Sequence, residues 1–189
     1  KEYTLASLMA QISIVFQRVY LFHDTIENNI RFGRPQASRA EVIAAAKKAA
    51  CHDFITRLPN GYETMVGEGG ANLSGGEKQR ISIARAILKD APIIIFDEAT
   101  ANVDPENEDR LQQAIEALTQ DKTVIMIAHR MNTVRNAAQI LVVADGRIVQ
   151  HGTHEELIAK DGIYADFIAS RRTAVGWRLS SSTAQSKIG

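Results

Sequence analysis

Four short runs of apolar residues constrain this chain more than any other feature: Ile12–Phe16, Ile93–Phe96, Val124–Ala128 and Ile140–Ala144. They are rich in Ile and Val, and Ser13 is the one polar residue among them. That is the pattern of strands buried on both faces, as in a parallel sheet. Helical patterns lie between them. Ser38-Arg39-Ala40-Glu41 is a capping box opening an Ala-rich helix to about Ala50. Ser74-Gly75-Gly76-Glu77 is a second box; its helix carries Ile81, Ala84, Ile87 and Leu88 on one face and stops before Pro92. Asp104 can cap a third, with Pro105 in its first turn and Leu111, Ile115 and Leu118 as its buried stripe. Thr153-His154-Glu155-Glu156 caps a fourth. Strands alternating with helices predict an α/β fold. Ile140–Ala144, Asp145-Gly146 and Arg147–Gln150 read as a hairpin with a type I′ turn. From about Gln36 to Gly70 no strand is expected, and the stretch reads as a helical insertion. From Arg171 the chain turns basic, then Ser-rich around a lone Trp177, and reads as a loose tail.

Composition narrows the function. At 189 residues and 45% hydrophobic, the chain suits about one folded domain. Its 22 basic and 22 acidic residues cancel, which argues against a broad nucleic-acid footprint. The single cysteine, Cys51, cannot form an intramolecular disulfide and fits a reducing compartment; in an Ala-rich helix it reads as a small buried residue. None of the apolar runs approaches the roughly 20 residues that span a bilayer.

The residues with chemical potential sit at element ends. Asp97-Glu98 follows Ile93–Phe96 and falls at the sheet edge where α/β proteins bind ligands, although two acids after a strand also suit a polar turn. In a functional reading Asp97 holds Mg²⁺, partly through water, and Glu98 polarises the water that attacks a phosphoryl group. In Leu73-Ser74-Gly75-Gly76-Glu77-Lys78-Gln79-Arg80 the two glycines cost the helix up to about 1 kcal/mol each relative to Ala. Close approach of an anion to bare first-turn N–H groups, the positive helix end and the Ser74 hydroxyl would offset that cost. Glu77, negative near such a site, fits a role in the capping box. Ser74 precedes Asp97 by 97 − 74 = 23 residues, one helix plus a short link. His129 follows the strand Thr123–Ala128, and Gln17 ends the first strand. Polar groups at the ends of three strands and one helix make a site. His151-Gly152-Thr153-His154, by contrast, is explained by a strand end and a helix cap.

The ordered set Gln17, Leu73-Ser74-Gly75-Gly76-Glu77, Ile93-Ile94-Ile95-Phe96-Asp97-Glu98, Ala101-Asn102-Val103-Asp104 and His129 resembles the nucleotide-binding domain of an ATP-binding cassette (ABC) transporter. In that family's terms these match the Q-loop, signature motif, Walker B with its catalytic Glu, D-loop and switch His. The resemblance runs from about Tyr3 to Phe167. Thr64-Met65-Val66-Gly67-Glu68-Gly69-Gly70 is similar to the loop before the signature in exporter-type cassettes, which touches the membrane domain; Met65 and Gly69 stand where Glu and Arg are common. The phosphate-loop pattern Gly-x-x-x-x-Gly-Lys-Ser/Thr does not occur in the chain; the only Lys-Ser/Thr pair, Lys122-Thr123, has no glycine in the four residues before it. In the family that loop precedes the Q-loop, so its expected position is upstream of Lys1.

The resemblance implies a P-loop NTPase-like α/β fold with a mostly parallel sheet, an inserted helical subdomain and a C-terminal β-hairpin plus helices. It implies a cassette over residues 1–170, with the helical subdomain and signature at about 36–90, and a tail over 171–189. ATP and Mg²⁺ are the implied ligands. Glu98 is the general base and His129 holds the γ-phosphate and Glu98. Asp97 and Gln17 serve the metal, partly through water. Ser74, Gly75 and Gly76 grip the γ-phosphate on a partner cassette, and Asp104 couples the two sites. The implied partners are a second cassette, in a homodimer or heterodimer, and a transmembrane domain upstream in the same polypeptide, at the cytoplasmic face of the membrane. Alone, the chain is expected to be inactive for want of the phosphate loop. Three other readings compete. DNA-repair ATPases place a long coiled coil between Q-loop and signature, against 74 − 17 = 57 residues without heptads here. Soluble translation cassettes carry basic surfaces. A non-hydrolysing degenerate partner cassette tends to lose the residues that match Glu98 or His129.

Overall fold

Asp97 ends one strand of a parallel sheet, and Gln17 lies two residues beyond the end of its neighbour. The structure is a computed structural model describing residues 3–68, 71–97, 105–127 and 134–170. The chain divides into two compact units, Lys1–Ile127 and Ala128–Gly189.

In the first unit, α1 (Leu5–Ala10), capped by the Thr4 hydroxyl, leads into β1 (Ile12–Val15). Next come β2 (Asp24–Thr25), α2 (Ile26–Arg31), α3 (Arg39–Lys48), α4 (His52–Arg57), a 3₁₀ turn (Gly61–Glu63) and β3 (Met65–Val66). Then follow α5 (Gly75–Lys89), β4 (Ile93–Asp97), α6 (Pro105–Thr119) and β5 (Thr123–Ile127). Three strands form a parallel sheet in the order β1-β4-β5, with Val15 level with Phe96 and Asp97 level with Ile127. The mixed α/β class with a parallel sheet is the one expected.

The register sorts the sheet's faces. Val15, Ile94 and Phe96 pack into one core with Ile81, Ala84 and Leu88 of α5 and Leu111, Ala114 and Leu118 of α6. Ile87 and Ile115, predicted on those stripes, are half-buried against it. A fully buried Ile or Phe contributes roughly 1.5–3 kcal/mol, so burying this interface stabilises the unit. The opposite face carries Ile14, Ile125 and Ile127, which are 41%, 50% and 49% exposed. The expectation of strands buried on both faces therefore holds on one face only among the described residues.

One expectation fails outright. The stretch 36–70 does contain a strand: β3 pairs antiparallel with β2, Met65 opposite Thr25 and Val66 opposite Asp24. A two-residue strand leaves no periodic run to read, and its partner lies about forty residues away in sequence. Otherwise that stretch is helical, and the Ser38–Glu41 capping box forms as read.

In the second unit, β6 (Ile140–Ala144) and β7 (Arg147–Gly152) form the expected hairpin. Asp145 at φ 49° and Gly146 at φ 73° are both left-handed, as a type I′ turn requires. Thr153 caps α7 (His154–Ile158) in the expected box, and residues 163–170 form α8. His154, buried at the start of α7, meets the Tyr164 hydroxyl through Nδ1 at 2.7 Å. Ile140, Leu157, Tyr164 and Ile168 are this unit's core. No helix among the described residues is long and apolar enough to cross a membrane.

Candidate functional site

A parallel sheet delivers every strand to the same edge, and two predicted residues arrive there together. Asp97 is the last residue of β4, half-buried, on the same face as Ile95 and Ile127. Gln17 follows β1 by two residues and is exposed. Because β1 and β4 are neighbours in register, an amide and a carboxylate stand at the carboxyl ends of adjacent strands. Glu98, Asp104 and His129 lie outside the described residues.

The signature segment forms a helix start. Ser74 sits at the cap in extended geometry, and its hydroxyl accepts from the Glu77 N–H at 3.2 Å. The Glu77 carboxylate accepts from the Ser74 N–H at 2.8 Å. That reciprocal box gives Glu77 its place: its charge is spent on a cap, not on the space in front of the helix. The N–H groups of Gly75 and Gly76 are first-turn donors that the helix cannot satisfy itself. Gly75 is exposed, and a Cβ built on it would meet nothing within 4 Å, whereas Gly76 is buried. Nothing among the described residues therefore demands glycine at 75.

The direction of α5 relates this helix start to the strand ends. Gln79 Nε2 lies 3.5 Å from the Phe16 carbonyl, at the end of β1. Lys89 Nζ donates to the Ile12 carbonyl at 2.6 Å and the Met9 carbonyl at 2.8 Å, at the strand's beginning. Ten helical residues span about 15 Å and four strand residues about 13 Å, so α5 runs antiparallel to β1. Its N-terminal turn, with Ser74, points to the carboxyl edge of the sheet.

Beyond Gln17 the chain is pinned by a polar hub that sequence reasoning missed. Asn29, 1% exposed on α2, accepts from the Phe22 N–H at 2.9 Å and donates to the carbonyls of Phe22 and Thr25 at 3.0 Å. Arg85 of α5 donates to the Asn29 carbonyl at 2.8 Å and side-chain oxygen at 3.1 Å, and its guanidinium lies over the rings of Phe22 and Phe32. Burial holds Arg85 below the ordinary arginine pKa. The loop before the signature closes on the same segment: Gly67 has φ 94°, and a Cβ there would come within 2.8 Å of Phe22 backbone atoms. Gln79 was missed as well; its sequence signal is a place four and seven residues before Ile83 and Ala86, on the same side of α5.

Of the two expected metal-serving residues, one carboxylate and one amide are described, and no group of three or more His, Cys, Asp or Glu side chains that could hold a metal occurs among the described residues. A single carboxylate suits Mg²⁺, which keeps several waters and takes further oxygens from phosphates, better than it suits an ion needing a full protein cage.

A profile described as ABC transporter matches residues 1–101. The ATP-dependent lipid A-core flippase of Legionella pneumophila (strain Paris) is 53% identical over 165 residues, covering 87% of this chain and 28% of that protein. The protein of the same name from Syntrophus aciditrophicus (strain SB) is 52% identical over 164 residues, covering 87% of this chain and 27% of its own length. This chain thus spans a little over a quarter of these relatives. Among solved structures, that of a bacterial Atm1-family ABC exporter with ATP bound superposes with a TM-score of 0.77 at 49% identity, over 88% of this chain and 29% of that one. With over half its residues matched by the family profile, and with its strand ends and capped helix start in that family's order, the chain belongs to the ABC transporter family.

Proposed function

We propose that this chain is part of the ATP-hydrolysing cassette of an exporter-type ABC transporter. The observation that carries the reading is the convergence of Gln17, Asp97 and the glycine-bearing start of α5 on one edge of a parallel sheet. In this reading Glu98, next in sequence to Asp97, is the general base: it takes a proton from the water that attacks the γ-phosphorus. His129 donates to the γ-phosphate and orients Glu98. Asp97 and Gln17 would hold Mg²⁺, directly or through water; when bound, the ion neutralises charge on the β- and γ-phosphates. Gln17 also reports the state of the site to the membrane portion.

The start of α5 plays its part on a second cassette. The Gly75 and Gly76 N–H groups, the helix dipole and the Ser74 hydroxyl proton, which the capping bond leaves available, form an anion site for that cassette's γ-phosphate. Asp104 couples the two sites. The similarity to flippases and to an exporter supports an export role, with the cassette on the cytoplasmic face of a membrane beneath transmembrane helices.

The test is Glu98→Gln in the full-length protein. ATP turnover is expected to fall by roughly 10²–10⁴-fold, the usual worth of a general base. Turnover within threefold of the parent would reject the assignment.

A further inference from the structure

Gln79 is a neutral amide, 6% exposed, on the face of α5 that it shares with buried Ile83 and Ala86. An apolar residue of the same length would fill that space without a hydrogen bond to satisfy. Its amide nitrogen is 3.5 Å from the carbonyl oxygen of Phe16. That carbonyl belongs to the planar peptide unit joining Phe16 to Gln17. Orienting it sets the direction in which Gln17 leaves the strand. A second tether lies just beyond: Arg85 Nη1, six residues further along α5, donates to the Tyr20 carbonyl at 3.4 Å. The segment carrying Gln17 is therefore slung from two points of one helix, the helix that Ser74 caps.

We propose that Gln79 is a positioning residue that fixes Gln17 to the signature helix, so that a shift of α5 on engaging a partner's nucleotide moves the Gln17 amide with it. This rests on the ATPase reading above. It adds a physical link, through one side chain, between the surface facing one nucleotide and the residue serving another.

The test is a double-mutant cycle in the full-length protein with Gln79→Met, which keeps length and volume but removes the donor, and Gln17→Ala. In the parent background Gln79→Met is expected to lower the ATPase kcat about two- to tenfold, the worth of one hydrogen bond, with a smaller change in KM. In the Gln17→Ala background the same substitution is expected to change kcat by less than 1.5-fold, because its effect passes through Gln17. Amide hydrogen exchange without nucleotide gives a second readout: residues 16–19 exchange faster in Gln79→Met, while α5 beyond residue 82 is unchanged. Should Gln79→Met fail to fold, Gln79→Leu removes the same donor. Equal kcat factors in both backgrounds, or unchanged exchange at 16–19, overturn the proposal. A parent with normal turnover that collapses in Glu98→Gln, combined with an additive cycle, removes only the role of Gln79. A parent without turnover removes the ATPase reading and this inference together.

Discussion

Gly75 isolates what a single residue can say about a missing partner. Glycine in a first helical turn is up to about 1 kcal/mol worse than alanine, and here neither a positive φ nor a close neighbour among the described residues requires it. Gly75→Ala should therefore stabilise the isolated chain by about 0.5–1 kcal/mol in urea unfolding. In the full-length protein the same methyl group should lower ATP turnover by roughly tenfold or more, the cost of overpacking a tight contact. Unchanged turnover would mean that nothing approaches Gly75. Cys51 gives the opposite lesson, a residue wholly explained by the fold. It is fully buried, its thiol donates to the Ala46 carbonyl at 3.3 Å, and burial pushes its pKa up to about 12. A raised acid pKa favours the folded state below the unfolded value and penalises it as pH rises past that value. Stability should thus fall from about pH 8.5 upward, as the unfolded thiol ionises and the folded one does not. The check is twofold: iodoacetamide labelling of Cys51 at pH 8.5 should be slow until urea unfolds the chain, and the urea midpoint should drop between pH 8.5 and 10.

Among elements, those governed by local chemistry were legible and those governed by distant pairing were not. Ser38, Ser74 and Thr153 each begin a helix with a glutamate three residues on, and all three boxes form. A cap needs only neighbours in sequence, and each is worth about 1 kcal/mol. The Asp145-Gly146 turn was legible for the same reason. The β2–β3 pair, the Gly67 contact with Phe22 and the Asn29–Arg85 hub were not, because each joins residues roughly forty or more apart through polar groups that carry no periodicity. In the candidate site, Gln17 and Asp97 could be read from strand ends, whereas Gln79 could not, since its partner is a backbone carbonyl 63 residues away. The hub makes the strongest element-scale prediction. Asn29 serves Phe22, Thr25 and Arg85 at once, so Asn29→Ala strips several buried groups of their partners. It should cost about 2–4 kcal/mol in chemical unfolding and expose residues 20–25 to early proteolysis. Exposed Asn28, one residue away, gives its side-chain amide to Asp24, and Asn28→Ala should stay within about 0.5 kcal/mol of the parent.

At the scale of the whole molecule, two properties of the 189-residue chain decide how it behaves by itself. Its parallel sheet is covered on one face and carries half-exposed isoleucines on the other, and β5 pairs on only one side among the described residues. A parallel strand as apolar as Thr123-Val-Ile-Met-Ile127 is stable when both faces are covered, and its free edge is a template for further pairing. The same chain lacks the glycine-lysine loop whose backbone N–H groups would cradle a nucleotide's phosphates. Taken by itself the chain should therefore self-associate and bind nucleotide weakly. Size-exclusion chromatography is expected to show oligomers at micromolar concentration, and titration calorimetry no micromolar affinity for ATP. Ile125→Lys, which puts a charge on the half-exposed sheet face, should shift the chain toward monomer without conferring ATP binding, because the exposed face and the absence of a glycine-lysine loop pattern are separate properties. A monomeric parent chain would mean that the exposed face is covered by this chain itself; micromolar ATP binding would mean that Asp97, Gln17 and the α5 start hold the nucleotide unaided. Either result would move the site's centre of gravity away from a surface shared between cassettes.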